Sequence, residues 1–393
     1  QSAINAYTQM RPKWKFLGIL TFLVPVLIMT YYAVIGGWIT KYAVVYITGQ
    51  AQAAASDDYF TNFITSSVSP VIFELLFMGV TAVIVYNGVE DGIEKVSKWM
   101  MPVLLILVVI IAVYSLTLHH TDESGVTRTG WQGFIYYLTP NFEGLTVHRF
   151  LQILLDAMSQ LFFSLSVSMG IMITYGSYVK SDVNLNKAVN QIEIFDTGVA
   201  ILAGAMIIPA VYVFSGTEGM GAGPSLMFVS LPKVFAAMGK AGILVGILFF
   251  ITAIFATLSS CISVLESITA NCMEIFHSGR KITVVILSVI YLAASAVITL
   301  GYSIFYVEVP LPNGTTGQLL DIMDYISNSV MMPFIAFFST ILIGWIVTPD
   351  YVIDEMERSG DKFRRKKLYY VMIRFVAPIM MFVLFLQSTG ILH

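Results

Sequence analysis

The sequence predicts an all-α membrane protein whose helices cross the bilayer many times, and three observations support this fold class. Of its 393 residues, 57% are hydrophobic and only 11% are charged, and the mean hydropathy is +0.81. Apolar stretches long enough to cross a bilayer recur along the whole chain. Lysine and arginine concentrate in alternate connections between these stretches. This composition is typical of polytopic membrane proteins.

Nine stretches reach the length that a membrane-spanning helix needs, which is about 20 apolar residues. Several are longer than the hydrocarbon layer requires, so tilted or interrupted helices are expected. Residues 1–393 are predicted to form one transmembrane domain. The nine stretches are residues 16–40, 69–88, 99–118, 150–178, 194–215, 241–270, 282–302, 325–347 and 369–391.

The basic residues predict the orientation of the chain, because connections rich in lysine and arginine face the cytoplasm. Basic residues precede the first stretch and follow the second, fourth, sixth and eighth, where the run KFRRKK occupies residues 362–367. The intervening connections carry few cations. The N-terminus of the chain is therefore predicted to be cytoplasmic and the C-terminus external.

Charge and histidine placement argue against two classes of function. The net charge of −3 is spread over the connections, which leaves no basic face, so nucleic acid is excluded as a partner. An intramembrane hydrolase would need a serine beside a base. All five histidines lie at the ends of spans or in connections, and no lysine lies at the required depth. The chain is therefore not expected to be an enzyme.

Two connecting segments are predicted to be structured. Residues 90–102 have apolar residues at helical spacing with charges between them, which indicates a short interfacial helix entering the third span. Residues 223–239 are apolar but contain Pro232 between two short helical pieces. This second segment is either an external lid that dips into the protein or a plain surface loop.

The fourth span contains an unusual polar interruption, FFSLSVSMGIMITYGSY at 162–178. Three serines, Ser164, Ser166 and Ser168, alternate just before Gly170. An unwound segment at membrane depth is tolerated where it lines a cavity, and its freed carbonyls can then bind ions and polar ligands. The alternative is a straight helix whose small residues serve packing.

A second polar site lies in the sixth span, in FATLSSCIS at 255–263. Ala256, Ser259 and Ser260 are spaced i, i+3 and i+4 and therefore share one helix face. Two hydroxyls and a nearby carbonyl form an uncharged, oxygen-rich site suited to a monovalent cation such as sodium. A serine-lined contact between helices is the alternative.

Acidic residues mark two further positions. Asp196 enters the fifth span, where a carboxylate needs a cation or a proton, although it could also cap the helix. Asp321 and Asp324 begin the eighth span at its external end, where they could cap the helix or gate an external vestibule.

Ordered motifs over the whole chain resemble the neurotransmitter:sodium symporter family, and its bacterial amino-acid transporters more than its animal members. The central matches are FFSLSVSMGIMITYGSYV from residue 162, AGAMIIPAVYVF at 203–214 and ATLSSCISVLE at 256–266. The resemblance implies the inverted-repeat leucine-transporter fold. This family is a reference case for broken helices around a site at the middle of the membrane. The site residues given below are therefore implied by the resemblance and not by the residue pattern alone. Supporting matches are YYAVIGGW (31–38), GVEDGIEKVSKWMMP (88–102), LTPNF (138–142), FVSLPKVF (228–235), LDIMDY (320–325) and YYVMIRFVAP (369–378).

The resemblance implies that the fourth span is unwound and assigns residues to three groups. The substrate-binding residues are Ile28, Tyr32, Ile35, Phe163, Ser166, Met169 and Val264, with the Tyr32 hydroxyl on the substrate carboxylate. The sodium ligands are Ser164 and Asp196 at one site and Ala256, Ser259 and Ser260 at a second. Asp324 is the implied acid of the outer gate, and Glu274 that of the inner gate.

Three features depart from the family pattern. Asp196 aligns with a sodium ligand of the family. If the alignment is shifted by one helical turn, Asp196 instead corresponds to the carboxylate that replaces chloride in bacterial members. Ser168 and Met169 stand where glycine and phenylalanine are common, so the substrate cannot be transferred from any one relative. The nine spans correspond to the third to eleventh family helices, and the first two family spans are expected to precede residue 1.

The resemblance therefore implies sodium-coupled symport of an apolar or aromatic amino acid by alternating access, with sodium as the coupling ion. The expected location is the bacterial inner membrane, in contact with the lipid bilayer. Coupled transport is expected to require the two N-terminal helices that the chain lacks. The alternative is a membrane sensor or assembly partner that keeps the fold without transporting. Such a protein would lose the second sodium site, whereas Ala256, Ser259 and Ser260 are intact.

Overall fold

The computed structural model describes residues 2–122, 125–180, 182–217, 220, 223–312, 314–358, 360 and 362–391. Within these residues, eight helices are long and apolar enough to cross a membrane. Two short antiparallel hairpins, β1 (His119–Thr121) with β2 (Thr127–Thr129) and β3 (Val309–Pro310) with β4 (Thr316–Gly317), lie in connections. The helices are α1 (Ala3–Met10), α2 (Pro12–Ile47), α3 (Ala51–Ala54), α4 (Tyr59–Ile64), α5 (Ser69–Tyr86), α6 (Val89–Thr117), α7 (Gly130–Leu138), α8 (Val147–Ser164), α9 (Ile171–Gly176), α10 (Leu185–Ser215), α11 (Leu226–Ala237), α12 (Lys240–Phe276), α13 (Arg280–Leu300), α14 (Leu319–Val347), α15 (Asp350–Glu357) and α16 (Lys366–Ser388).

Eight of the nine predicted stretches coincide with these long helices, and the fourth is divided between α8 and α9. The predicted interfacial helix at 90–102 is not a separate element. It forms the first turns of α6, which continues without an end to Thr117. Gly88, with a φ of +95°, precedes α6 and separates it from α5, so the bend falls before the charged segment rather than after it.

Within residues 223–239, Leu226–Ala237 form one continuous helix, α11, which is π-helical up to Ser230 and α-helical from Leu231, rather than two pieces separated by Pro232. Pro232 has no N–H to donate to the Phe228 carbonyl one turn earlier, and that carbonyl accepts from the Tyr42 hydroxyl over 2.8 Å instead. Phe228, Leu231 and Phe235 are each at most 3% exposed. The segment therefore dips into the protein, as the lid interpretation predicted, and is not a plain surface loop.

The core of the bundle is built on α2, which packs against α5, α12 and α13. Glycines permit these close approaches, since small residues allow membrane helices to pack backbone to backbone. A Cβ atom on Gly37 would lie 2.7 Å from the backbone nitrogen of Glu74 on α5. Gly246 of α12 is similarly covered by the ring of Tyr46. This packing fixes the helices that carry the polar residues of the fourth and sixth predicted spans.

Candidate functional site

The fourth predicted span is broken in its middle, which confirms the first of the two alternatives. Helix α8 ends at Ser164 and α9 begins at Ile171. Between them, Ser166, Ser168 and Gly170 have φ angles of +52°, +65° and +72°. Residues in this left-handed region cannot continue a right-handed helix, so the chain unwinds and carbonyl groups lose their intrahelical partners.

The left-handed backbone at Ser168 yields a testable contrast between two substitutions. Ser168→Gly is expected to preserve or slightly raise stability, because glycine adopts this conformation without a Cβ clash. Ser168→Val is expected to destabilise the protein by about 1–3 kcal/mol, because a β-branched residue is strained there. Melting temperatures in detergent measure both. Equal melting temperatures for the two variants would show that the segment is not held in this conformation.

A cavity of about 730 Å³ lies beside the break. It is bordered by α2, α6, α8, α9, α10 and α12 together with the unwound segment. Eleven of the twelve residues predicted to bind substrate or sodium line this one cavity, although they come from four separate stretches of sequence. They are Ile28, Tyr32, Phe163, Ser164, Ser166, Met169, Asp196, Ala256, Ser259, Ser260 and Val264.

Ile35 is the predicted substrate-binding residue that does not line the cavity. It lies one turn beyond Tyr32 on α2, partly buried against the hydrophobic core. Ile28 and Tyr32 are one turn apart and both face the cavity. The placement of Ile35 therefore supports a packing role next to the cavity rather than contact with its contents.

Ser164 and Asp196 meet across the cavity, since the Ser164 hydroxyl donates a hydrogen bond to Asp196 Oδ1. Asp196 lies well inside α10, whose N-cap is Asn184, so the helix-cap alternative for Asp196 is wrong. Helix α10 starts at Leu185, earlier than the predicted span, and its first residues are mostly exposed. A carboxylate and a hydroxyl are hard oxygen donors, which suit a hard cation.

The oxygens of the sixth predicted span form a second cluster on the same cavity. Ser259 Oγ and Ser260 Oγ both donate to the Ala256 carbonyl, over 2.8 Å and 3.3 Å. The Tyr32 hydroxyl interacts with Ser260. Tyr32 therefore joins this oxygen cluster to the part of the cavity lined by Phe163, whose ring centroid is 6.5 Å from that of Tyr32.

Asp324 and Asp321 have different surroundings. Asp321 Oδ2 accepts from the Gln318 backbone N–H over 2.9 Å and so caps α14. Asp324 accepts from Asn328 and lines a separate cavity of about 290 Å³ with Asp156 and others. Phe163 and Gln160 border both cavities, so Asp324 faces a vestibule directly next to the main cavity.

Glu274 lies near the last residue of α12, at the end of the bundle opposite to Asp324. It accepts from the Ser2 backbone N–H over 2.6 Å, from Ser2 Oγ over 3.0 Å and from the Asn5 amide. Asn271 Oδ1 accepts from Ala3 N–H over 2.9 Å. These contacts attach α1 to the end of α12 through hydrogen bonds from neutral donors.

A buried ion pair near the cavity was not predicted. Arg280 donates to both carboxylate oxygens of Glu266, whose side chain is 0% exposed, and to the Val85 carbonyl. Tyr178, just after α9, donates to Glu266 over 2.7 Å. The sequence offered one signal, a glutamate inside the apolar part of α12, but it gave no sign of which cation would reach it.

A helix broken beside a polar cavity, inside a bundle of membrane-spanning helices, is typical of secondary transporters. The family model of the sodium:neurotransmitter symporter family matches residues 64–392, and this chain belongs to that family. The resemblance on which the sequence analysis relied is thereby confirmed.

The chain is also similar to individual family members. It is 30% identical to an uncharacterized sodium-dependent transporter, YhdH of Bacillus subtilis, over 100% of this chain and 84% of that protein. It is 31% identical to an uncharacterized sodium-dependent transporter of Haemophilus influenzae, over 95% of this chain and 79% of that protein. The crystal structure of MhsT in complex with L-phenylalanine is 33% identical and superposes with a TM-score of 0.83, covering 99% of this chain and 85% of MhsT.

Proposed function

We propose that the protein carries an apolar or aromatic amino acid across the cell membrane together with sodium, by alternating access around the cavity. The observation that carries this proposal is the convergence of one carboxylate, several hydroxyls and apolar walls on a single cavity beside a broken helix. The family supports sodium as the coupled ion. The L-phenylalanine bound to MhsT supports an amino acid as the substrate.

The composition of the cavity walls favours an apolar side chain on the substrate. Ile28, Met169 and Val264 are nearly fully buried, and Phe163 lies across from Tyr32. The hydroxyls of Tyr32 and Ser166 suit the zwitterionic end, with Tyr32 on the carboxylate. Ile35 supports Tyr32 from the next turn of α2. The 730 Å³ cavity falls in the size range of small-molecule sites.

Two groups of oxygens would bind sodium. Ser164 and Asp196 form the first, which has a carboxylate to balance the positive charge. Ala256, Ser259 and Ser260 form the second, which is neutral. Sodium entry down its gradient would then offset the free energy needed to carry the amino acid uphill.

Access to the cavity would alternate between two gates. Asp324 borders the vestibule at one end of the bundle, and Glu274 lies at the other. The distribution of lysine and arginine supports an orientation with Asp324 on the external side and Glu274 on the cytoplasmic side. The N-terminus of the chain is then cytoplasmic and its C-terminus external.

Ser259→Ala tests the second sodium site. The substitution is expected to weaken sodium-dependent amino-acid binding severalfold, because removing one oxygen from a desolvated cation is unfavourable by about 1–3 kcal/mol. Binding of labelled amino acid by the full-length protein over a series of sodium concentrations measures the effect. Ser288→Ala is the matched control, since Ser288 also donates to its own helix, at the Val284 carbonyl, but lies on α13 away from the cavity. Equal sodium dependence in both variants would contradict the assignment.

A membrane sensor that keeps the fold without transporting is the competing function. A binding screen of all common amino acids, with and without sodium, followed by uptake into liposomes, separates the two. Sodium-dependent binding accompanied by concentrative uptake supports symport. Binding without uptake by the full-length protein would favour the sensor.

A further inference from the structure

Glu74 is a fully buried carboxyl group that has no part in the cavity. It lies in the second turn of α5 and is 0% exposed. Its side chain contacts Ser295 and Thr299 on α13, which are 0% and 1% exposed. It therefore joins two helices within the apolar interior, where an acid is energetically unfavourable unless it is paired or neutral.

Positive charge near Glu74 is either engaged elsewhere or distant. Glu74 forms no ion pair within the described part of the chain. On α2 the ammonium of Lys41 lies 5.2 Å from the ring centroid of Phe73 and 5.8 Å from that of Phe63. On α13, Arg280 is bound to Glu266.

The remaining charged groups of the elements packed against α5 lie at helix ends. Lys13 and Lys15 are at the start of α2, about six turns from Gly37, which packs against Glu74. Lys95 and Lys98 are in the first turns of α6. Lys240 begins α12 and is exposed. Lys281 lies over the ring of Tyr86, at the opposite end of α5. The acids of α12 lie in its last third, and those of α6 lie at its start, next to the last residue of α5. Among the residues that the structure describes, therefore, no cation is paired with Glu74.

The hydrogen bonds around Ser295 indicate the protonation state. Ser295 Oγ is within hydrogen-bonding distance of both Glu74 Oε1 and the Tyr291 carbonyl oxygen, while Thr299 Oγ1 donates to Glu74 Oε2 over 2.8 Å. A serine hydroxyl has one hydrogen. If Glu74 is ionised, that hydrogen points to the carboxylate and leaves two oxygens in contact at Tyr291. If Glu74 is protonated, it donates to Ser295, which donates to Tyr291, and every contact contains a hydrogen.

We propose that Glu74 is a proton-binding site, occupied at neutral pH, at which a neutral carboxylic acid links α5 to α13. The site is separate from the transport cavity, so its proton is part of the folded structure and is not exchanged during transport. Glu266 provides an internal contrast. It is equally buried, but Arg280 donates to both of its oxygens, so it is a carboxylate.

Infrared spectroscopy of the purified full-length protein at neutral pH tests this contrast. The difference spectrum between wild type and Glu74→Gln is expected to show loss of the C=O stretching band of a protonated acid, without loss of carboxylate bands. The Glu266→Gln spectrum is expected to show the reverse. Loss of carboxylate bands in Glu74→Gln would overturn the proposal.

Melting temperatures give a second measurement that does not depend on band assignment. An uncharged glutamine can donate to Ser295 through its amide and accept from Thr299, so Glu74→Gln is expected to keep the wild-type melting temperature, whereas Glu74→Ala is expected to lower it. A Glu74→Gln protein as unstable as Glu74→Ala would contradict a neutral acid. If Glu74→Ala does not fold, the comparison uses Thr299→Val and Ser295→Ala, each of which removes one partner and is expected to lower the melting temperature.

Discussion

Replacement of Arg280 by alanine is expected to destabilise the protein by about 3–5 kcal/mol, because it leaves the buried Glu266 carboxylate without its cation. Glu266 is 0% exposed, and Arg280 reaches both of its oxygens. The same guanidinium also satisfies the Val85 carbonyl through Nε and one terminal nitrogen, at 3.1 Å and 3.0 Å. The substitution therefore removes a bidentate pair and a link between α5, α12 and α13.

Denaturant or thermal unfolding of Arg280→Ala in detergent measures this loss. Arg280→Lys is expected to recover only part of it, since an ammonium cannot form the planar two-oxygen contact. The double variant Arg280→Ala with Glu266→Gln should be more stable than Arg280→Ala alone, because it removes the unpaired charge as well. Equal stability of the single and double variants would show that Arg280 stabilises the protein by something other than its ion pair with Glu266.

The Arg280→Ala substitution is also expected to loosen α9, the helix that follows the break. Tyr175 of α9 is within hydrogen-bonding distance of Ser263 at 3.0 Å, and Tyr178, just after α9, donates to Glu266, so α9 and the residues that follow it are attached to α12 at two points. Loss of Arg280 leaves Glu266 free to move and is expected to weaken the attachment through Tyr178. Tyr178→Phe is the milder test, because it removes a single hydrogen bond to a charged group, which contributes about 1.5–3 kcal/mol.

The helices could be predicted because the membrane imposes a length and a composition on each of them. Eight of the predicted stretches coincide with long helices for this reason. Their ends were less accurate, since α2 runs over residues 12–47 where the sequence predicted 16–40. The backbone hydrogen bonds of a helix form equally well under polar and apolar side chains, so hydropathy does not mark where a helix ends.

The candidate site was predictable where local sequence determines local structure. Alternating serines before Gly170 indicated a break, and the left-handed φ angles at Ser166 and Ser168 confirm it. Pairings between distant segments were not predictable from residue patterns. Arg280 could be interpreted only as a cytoplasmic charge, and Glu74, like Glu266, only as an acid inside an apolar stretch. Both depend on which helix faces cross in the bundle, and periodicity within one helix does not specify its neighbour.

Asp196→Asn is expected to lower sodium-dependent uptake by about tenfold or more, a change of at least about 1.4 kcal/mol in binding or transport. Asparagine keeps the size of the side chain and can still accept from Ser164, so the substitution removes mainly the negative charge. Uptake by liposomes containing full-length protein measures it. Glu193→Gln is the matched control, because Glu193 lies one turn earlier on α10 and forms an exposed ion pair with Arg365. A similar loss in both variants would indicate a nonspecific effect of charge on α10.

Chloride distinguishes the two roles left open for Asp196. The wild type is expected to take up substrate equally in chloride and gluconate, because the carboxylate supplies the negative charge beside the sodium. If Asp196 binds sodium directly, chloride should not rescue Asp196→Asn, since an anion in solution cannot replace a ligand attached to α10. If Asp196 stands in for chloride, the smaller neutral variant Asp196→Ser leaves room for the anion, and uptake should return as chloride rises. The hydrogen bond from Ser164 favours the first outcome, because it holds the carboxylate at the helix break rather than one turn away from it.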